Sequence, residues 1–198
     1  MKIHKLTWVL LIGLLLLSAC STEQPNLYLS ANAAAVYSVE NGEALYEKKT
    51  DKVMPIASLT KLMTAFLVLE AVDNNELSWD EKLNLVRLDD PSAVSTTKDL
   101  FLLSSKLIST HPEVLETTSK PTVTTDKGAK LESTNDSLGS IQGLDGLKTG
   151  FTDEAGYCFI GTAERGGKRV ISIVLDAGTA EKRFKDTEKL MEVGFKED

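Results

Sequence analysis

The sequence predicts an α/β chain of the α+β type, with helices packed on an antiparallel sheet, on three observations. Tyr157 to Ala163 and Arg169 to Leu175 are β-type runs joined by Arg165-Gly166-Gly167, a hairpin signal. Ala33 to Ser38 is an apolar run followed by Glu40-Asn41-Gly42, whose Asn-Gly pair is a turn signal, and Glu43 to Lys48 can return as its partner. Helical spacings of apolar residues fill the middle and the end of the chain.

Taken in order, the first nineteen residues stand apart. Lys2 and Lys5 form a basic start, Trp8 to Leu17 an apolar run, and Leu17-Ser18-Ala19-Cys20 a lipobox. That run is shorter than the ~20 residues a spanning helix needs, so residues 1–19 read as a lipoprotein signal with Cys20 as the lipidated residue. Residues 20–31 are then a tether, polar from Ser21 to Asn26, and residues 32–198 a single domain. The formal charge of the 198-residue chain is −7, and removing Lys2 and Lys5 makes it more acidic. An acidic chain without a basic run argues against nucleic-acid binding.

Pro55 marks the entry to the next element. From Leu59 the apolar positions 62, 63, 66 and 67 repeat at helical spacing, broadened by Val68, Leu69 and Val72, and Asp73-Asn74-Asn75 ends the run. So apolar a helix belongs at the centre of a domain. Leu77 to Val86 reads as a turn and short strand, and Asp89-Asp90-Pro91 as a break. Thr96 caps a second helix with Asp99 at its third position, Leu100, Leu103 and Leu107 face inward, and His111-Pro112 stops it at a solvated end. Pro121 to Leu131 reads as one exposed strand and Leu138 to Leu147 as a glycine-containing loop. Thr179 to Val193 is an amphipathic helix with Phe184 and Met191 inward, closed by Gly194.

Cysteine and histidine are too scarce for a zinc site, and no cofactor is implied. Without its first nineteen residues the chain keeps Cys158, in an apolar run that reads as a buried structural thiol, and His111. The chemistry therefore falls to other side chains. Ser58-Leu59-Thr60-Lys61 places a hydroxyl and an amine three residues apart, on one face if the segment is helical. Serine needs a neighbouring base to become a nucleophile, and a lysine near low-dielectric surface can serve. Ser95-Thr96-Thr97-Lys98 fits the same pattern but lies at a helix entrance, where Ser and Thr act as caps. Lys148-Thr149-Gly150 supplies the second half of a constellation: Lys and Thr on a strand edge can hold a carboxylate, and Gly allows close approach.

Ser-x-x-Lys together with Lys-Thr-Gly is a pairing shared by penicillin-binding proteins and class A β-lactamases. In their surroundings, Val53 to Glu70 and Gly143 to Cys158, the two motifs resemble the serine-type D-alanyl-D-alanine carboxypeptidases, the low-molecular-weight penicillin-binding proteins of the peptidase S11 family. The likeness runs from about Ala33 to Phe195. It implies a β-lactamase/transpeptidase-like fold, and an acyl-enzyme on Ser58 with Lys61 accepting its proton. It also implies carboxylate binding by Lys148 and Thr149 beside Gly150, and an oxyanion hole from the backbone N–H groups of Ser58 and Phe151. The implied partners are peptidoglycan stem peptides ending in D-Ala-D-Ala, β-lactams as acylating inhibitors, and the membrane through Cys20, at an extracytoplasmic location.

One part of the family pattern is missing. Its Ser-x-Asn motif sits on a helical lobe between the other two motifs, and here that lobe is largely deleted around Arg87 to Val94. Ser133-Thr134-Asn135 spells the motif but lies where the family has a Thr-Asn-containing stretch, and reads as coincidence. Loss of one oxyanion donor costs about 100- to 1000-fold in rate, and loss of a cleft wall with a proton-shuttle residue is of that order. The deletion also uncovers apolar surface on the Ser58 helix. Two other readings stay open: a non-catalytic lipoprotein of this descent that binds cell wall or a partner, and a β-lactamase. The second lacks a Glu-x-x-x-Asn pattern, since Glu81-Lys82-Leu83-Asn84 is one residue short.

Overall fold

The structure, a computed structural model, describes residues 24–81 and 92–196. Five strands form one antiparallel sheet: β1 (Ala33–Ser38), β2 (Ala44–Lys48), β7 (Leu144–Thr152), β8 (Gly156–Arg165) and β9 (Lys168–Ala177), in the order β2-β1-β9-β8-β7. Both expected hairpins are present, with Gly166 and Gly167 at positive φ in the turn between β8 and β9.

The sheet is buried on both faces, which is why β1 and the middles of β8 and β9 read as nearly unbroken apolar runs rather than alternating ones. Ala33, Ala35, Tyr37, Ile160, Ile171, Ile173 and Leu175 point to one side, where Leu59, Leu62, Leu100 and Leu107 close the core. Ala34, Val36, Phe159, Val170 and Val174 point to the other, against Leu190 and Met191. The first layer is built by α1 (Lys61–Asp73) and α2 (Thr97–Thr110), the second by α4 (Ala180–Gly194). Capping follows the sequence: Thr96 Oγ1 accepts from the Asp99 N–H at 3.1 Å, and Thr179 Oγ1 from the Lys182 N–H at 3.1 Å.

Several expectations change. The helix read as central is peripheral: within α1 Leu62 alone is fully buried, while Met63 and Leu67 are 45% and 56% exposed. Apolar composition reflected a need for cover, and within the described residues its outer face has none. His111 is not a solvated helix end but buried, with Nδ1 3.6 Å from Asp73 Oδ2 and 3.5 Å from Glu113 Oε1. Between its helix stop and the sheet lies a short helix that periodicity did not reveal, α3 (Val114–Thr118). Pro121 to Leu131 is a two-stranded hairpin rather than one strand, β5 (Thr122–Thr124) with β6 (Lys130–Glu132), turning at Gly128 with φ 80°. Leu144 to Leu147, read as loop, already belongs to β7.

Residues 24–31, read as part of a tether, are docked. Lys189 Nζ donates to the Leu27 and Tyr28 carbonyls at 3.2 and 3.1 Å, and Asp186 Oδ2 accepts from Ser30 Oγ and the Ala31 N–H, both at 2.8 Å. Gln24 Oε1 accepts from the Glu47 N–H on the outer strand β2. The expected strand beyond residue 81, the break at Asp89-Asp90-Pro91, most of the Glu81–Asn84 run, and the signal and lipobox through Cys20 lie outside the described residues. No helix among the described residues is long and apolar enough to cross a membrane.

Candidate active site

Two short strands lead into the site. β3 (Met54–Pro55) pairs with β4 (Val94–Ser95), and the Ile56 N–H donates to the Ala93 carbonyl at 3.2 Å. The chain at residues 93–95 thus returns directly beside the Ser58 segment. Ala57 then adopts φ 47°, a left-handed conformation that costs an L-residue about 1–2 kcal/mol. This bend sends the chain from β3 into a single 3-10 turn, Ala57–Thr60, before α1 begins. Ser58 stands on that turn, and Lys61 opens the helix.

The turn lies against β7. A Cβ placed on Gly150 would stand 3.2 Å from Ala57 Cβ, from the Ile56 carbonyl oxygen and from the Ser58 backbone nitrogen. A side chain there requires the serine segment to give way by a few tenths of an ångström. Lys61 Nζ donates to Ser58 Oγ at 2.9 Å, so the geometry links amine and nucleophile directly. The low-dielectric setting expected for this lysine is not found, since Lys61 is exposed.

Lys148, Thr149, Gly150 and Phe151 are consecutive on β7, which is the outer strand of the sheet at this end. Lys148 Nζ donates to the Thr149 carbonyl at 2.7 Å. Burial, and then the positive charges of Lys61 and Arg183, hold its ammonium below the ordinary lysine range. Thr149 is buried, and its hydroxyl oxygen lies 2.6 Å from that of Thr134. Phe151 is about half exposed and stacks on Tyr157, with ring centroids 4.3 Å apart. A cavity of about 240 Å³ flanks this segment, lined by Lys148, Thr149, Thr134, Asn135 and Lys120 among others. A larger cavity, about 1210 Å³, lies at the β2 end among interleaved residues such as Glu43, Lys168, Lys185 and Glu188. Ser58 and Lys61 line neither cavity, and the smaller one abuts the Lys148-Thr149 segment that leads to Gly150.

Two residues of the site neighbourhood escaped the sequence reading. Arg183 on α4 is buried behind the strand, and its Nη1 donates to the Gly150 and Cys158 carbonyls at 3.3 and 3.4 Å. Thr134 belongs to the triplet set aside as coincidence. The structure brings Thr134, not Ser133, to the Lys-Thr-Gly segment. Ser133 Oγ accepts from the Asn135 N–H and Asn135 Oδ1 from the Ser137 N–H, both at 3.2 Å, so those two side chains shape the local turn. Neither residue carries a signal in sequence, because each acts through a distant backbone or hydroxyl. Cys158 is fully buried and its thiol is pushed up to about 11 by burial, which keeps it unreactive. Among the described residues no cluster of three or more His, Cys, Asp or Glu could hold a metal ion.

Two outcomes follow from this geometry. Gly150→Ala should leave the protein folded by circular dichroism yet slow its labelling by fluorescent penicillin about 10- to 100-fold, the range for a small displacement of reacting groups; unchanged labelling would contradict the close approach. Lys148 titrates lower in the folded chain than in the unfolded one. The unfolded chain therefore holds more protons between that lowered value and the ordinary lysine value near ~10.4, and stability rises with pH across this window. Lys148→Met should accordingly melt higher than the parent at neutral pH, with the gap closing toward the top of the window, as followed by scanning calorimetry.

Comparison with known proteins extends the picture. The family described as Peptidase_S11, D-alanyl-D-alanine carboxypeptidase, matches residues 19–87 and 83–179, two pieces that meet at residues 83–87. The D-alanyl-D-alanine carboxypeptidase DacC of Escherichia coli is 37% identical over 109 residues, covering 55% of this chain and 27% of that protein. The chain thus spans about a quarter of that relative's length. DacF of Bacillus subtilis is 22% identical over 280 residues, covering 96% of this chain and 71% of that protein. That alignment is longer than the whole 198-residue chain, so a block of DacF has no counterpart here. The solved structure of penicillin-binding protein D2 from Listeria monocytogenes, in its ampicillin-bound form, is 67% identical, with a TM-score of 0.82, covering 87% of this chain and 100% of that one. By sequence and fold alike, the chain belongs to the peptidase S11 family of D-alanyl-D-alanine carboxypeptidases and lacks that family's Ser-x-Asn lobe.

Proposed function

We propose that the protein is a serine-type D-Ala-D-Ala carboxypeptidase acting on peptidoglycan stem peptides. The observation that carries this is the 2.9 Å bond between Lys61 Nζ and Ser58 Oγ, held against Gly150 beside Thr149 and Lys148. Lys61 Nζ takes the Ser58 proton as Oγ bonds to the carbonyl carbon of the terminal peptide bond. The backbone N–H groups of Ser58 and Phe151 stabilise the oxyanion. The C–N bond breaks, the proton passes to the departing D-alanine amine, and water cleaves the ester to free Ser58. Lys148 and Thr149 hold the terminal carboxylate, and the positive charge of Arg183 behind the strand favours the same anion. Ampicillin bound to the Listeria relative supports β-lactams as acylating ligands here.

The missing lobe slows turnover without removing these groups, so acylation survives better than peptide hydrolysis. The exposed Met63 and Leu67 favour a second reading, a non-catalytic relative whose uncovered helix meets cell wall or another protein. We place either form outside the cytoplasm, lipid-anchored at Cys20 to the membrane surface.

Fluorescent penicillin should label the protein covalently, and Ser58→Ala should abolish both the label and D-alanine release from a pentapeptide; label that persists in Ser58→Ala rules the mechanism out. Labelling without any D-alanine release selects the second reading. In cells, Cys20→Ala should move the protein from the membrane to the soluble fraction, and an unchanged membrane fraction argues against the anchor.

A further inference from the structure

Thr134 and Thr149 place their hydroxyl oxygens 2.6 Å apart, and each hydroxyl has one proton to give. One proton lies between the two oxygens. If Thr149 supplies it, Thr149 can only accept from the cleft; if Thr134 supplies it, the Thr149 proton points outward. A carboxylate offers acceptors alone, so its arrival selects the second arrangement. We propose that Thr134 is a positioning residue, which donates to Thr149 and so commits the Thr149 hydroxyl to donate to the substrate's terminal carboxylate. The proposal rests on the carboxypeptidase reading.

Three features support it. The remaining hydrogen-bonding group of Thr149 toward Lys148, its carbonyl, is already taken by Lys148 Nζ. Thr134 is itself exposed, and little of it packs in a core, while the turn that carries it is fixed by Ser133, Asn135 and the Ser133 N–H to Pro121 carbonyl bond at 2.8 Å. The shared cavity is rich in donors: Lys120 and Lys148 line it, and so does Asn135, whose buried Nδ2 has no partner. Glu132 also lines the cavity, so the donors an anion needs are local, at Lys148, Thr149 and Asn135, and hydrogen bonds in series strengthen one another.

Binding can be measured apart from chemistry in the full chain carrying Ser58→Ala. Isothermal titration with diacetyl-L-Lys-D-Ala-D-Ala and with its C-terminal amide separates carboxylate recognition from all other contacts. Thr134→Val should weaken the acid about tenfold, the worth of one neutral hydrogen bond, and leave the amide unchanged. Thr134→Ser should restore the acid. Equal affinity of the Val and Thr forms for the acid, parallel loss of acid and amide, failure of Ser to rescue, or absence of saturable acid binding with Thr134 intact would each overturn the role. Penicillin labelling of the protein with Ser58 and Thr134 both intact reports on the enzyme reading separately.

Discussion

The site depends on one close approach, the 3-10 turn of Ser58 lying on the backbone of Gly150. An outer strand has room for a partner, and here the partner is not another strand but a strained turn. Because Gly150 has no side chain, the backbone at residues 56–58 comes within van der Waals contact of β7. Everything else follows from that contact: Ala57 bends to make it, Lys61 begins its helix in reach of Ser58, and Arg183 braces the strand from the far side. The turn contributes Leu59 to the core, fully buried, so the nucleophile is fixed by hydrophobic packing one residue away.

The chemistry was legible because it is local. Ser58 with Lys61, and Lys148 with Thr149 and Gly150, are short patterns whose meaning survives without a fold. The sheet was legible for a similar reason, since Gly166-Gly167 and Asn41-Gly42 mark turns by backbone conformation alone. What sequence could not supply was the neighbour across space. The composition of α1 says that Met63 and Leu67 favour cover, and only the fold shows that the described residues leave them open. His111 looked like a wet helix end because Pro112 follows it, whereas Asp73 arrives from another helix to enclose it. Pro121 to Leu131 looked like one strand because the turn at Gly128 falls among polar residues that alternate as a strand would. Ser133-Thr134-Asn135 matches a motif by its letters alone, whereas its contact with the Lys-Thr-Gly strand is the hydroxyl pair of Thr134 and Thr149.

The missing lobe has a mixed effect on the remaining structure. β3 and β4 pair across the place where the lobe would depart, so the entry to Ser58 is held without it. The nucleophile and its amine still meet, and the Lys-Thr-Gly strand is still braced. Among the described residues, Lys61 and the outer face of α1 are left in solvent contact. Positioning of the nucleophile and enclosure of the reaction are separable in this fold. The first belongs to the sheet and its turn, the second to a lobe that can be absent.

The docked N-terminal segment adds a mechanical consequence. Residues 24–31 grip α4 and the outer edge of β2, whereas Ser58 sits at β7, four interstrand spacings or about 19 Å across the sheet. A pull on the N-terminal side falls first on the Lys189 and Asp186 contacts and on β2. The molecule has a grip at one rim and a working edge at the other, and α4 joins them, since Asp186 and Lys189 hold the N-terminal segment while Arg183 of the same helix reaches the Gly150 carbonyl.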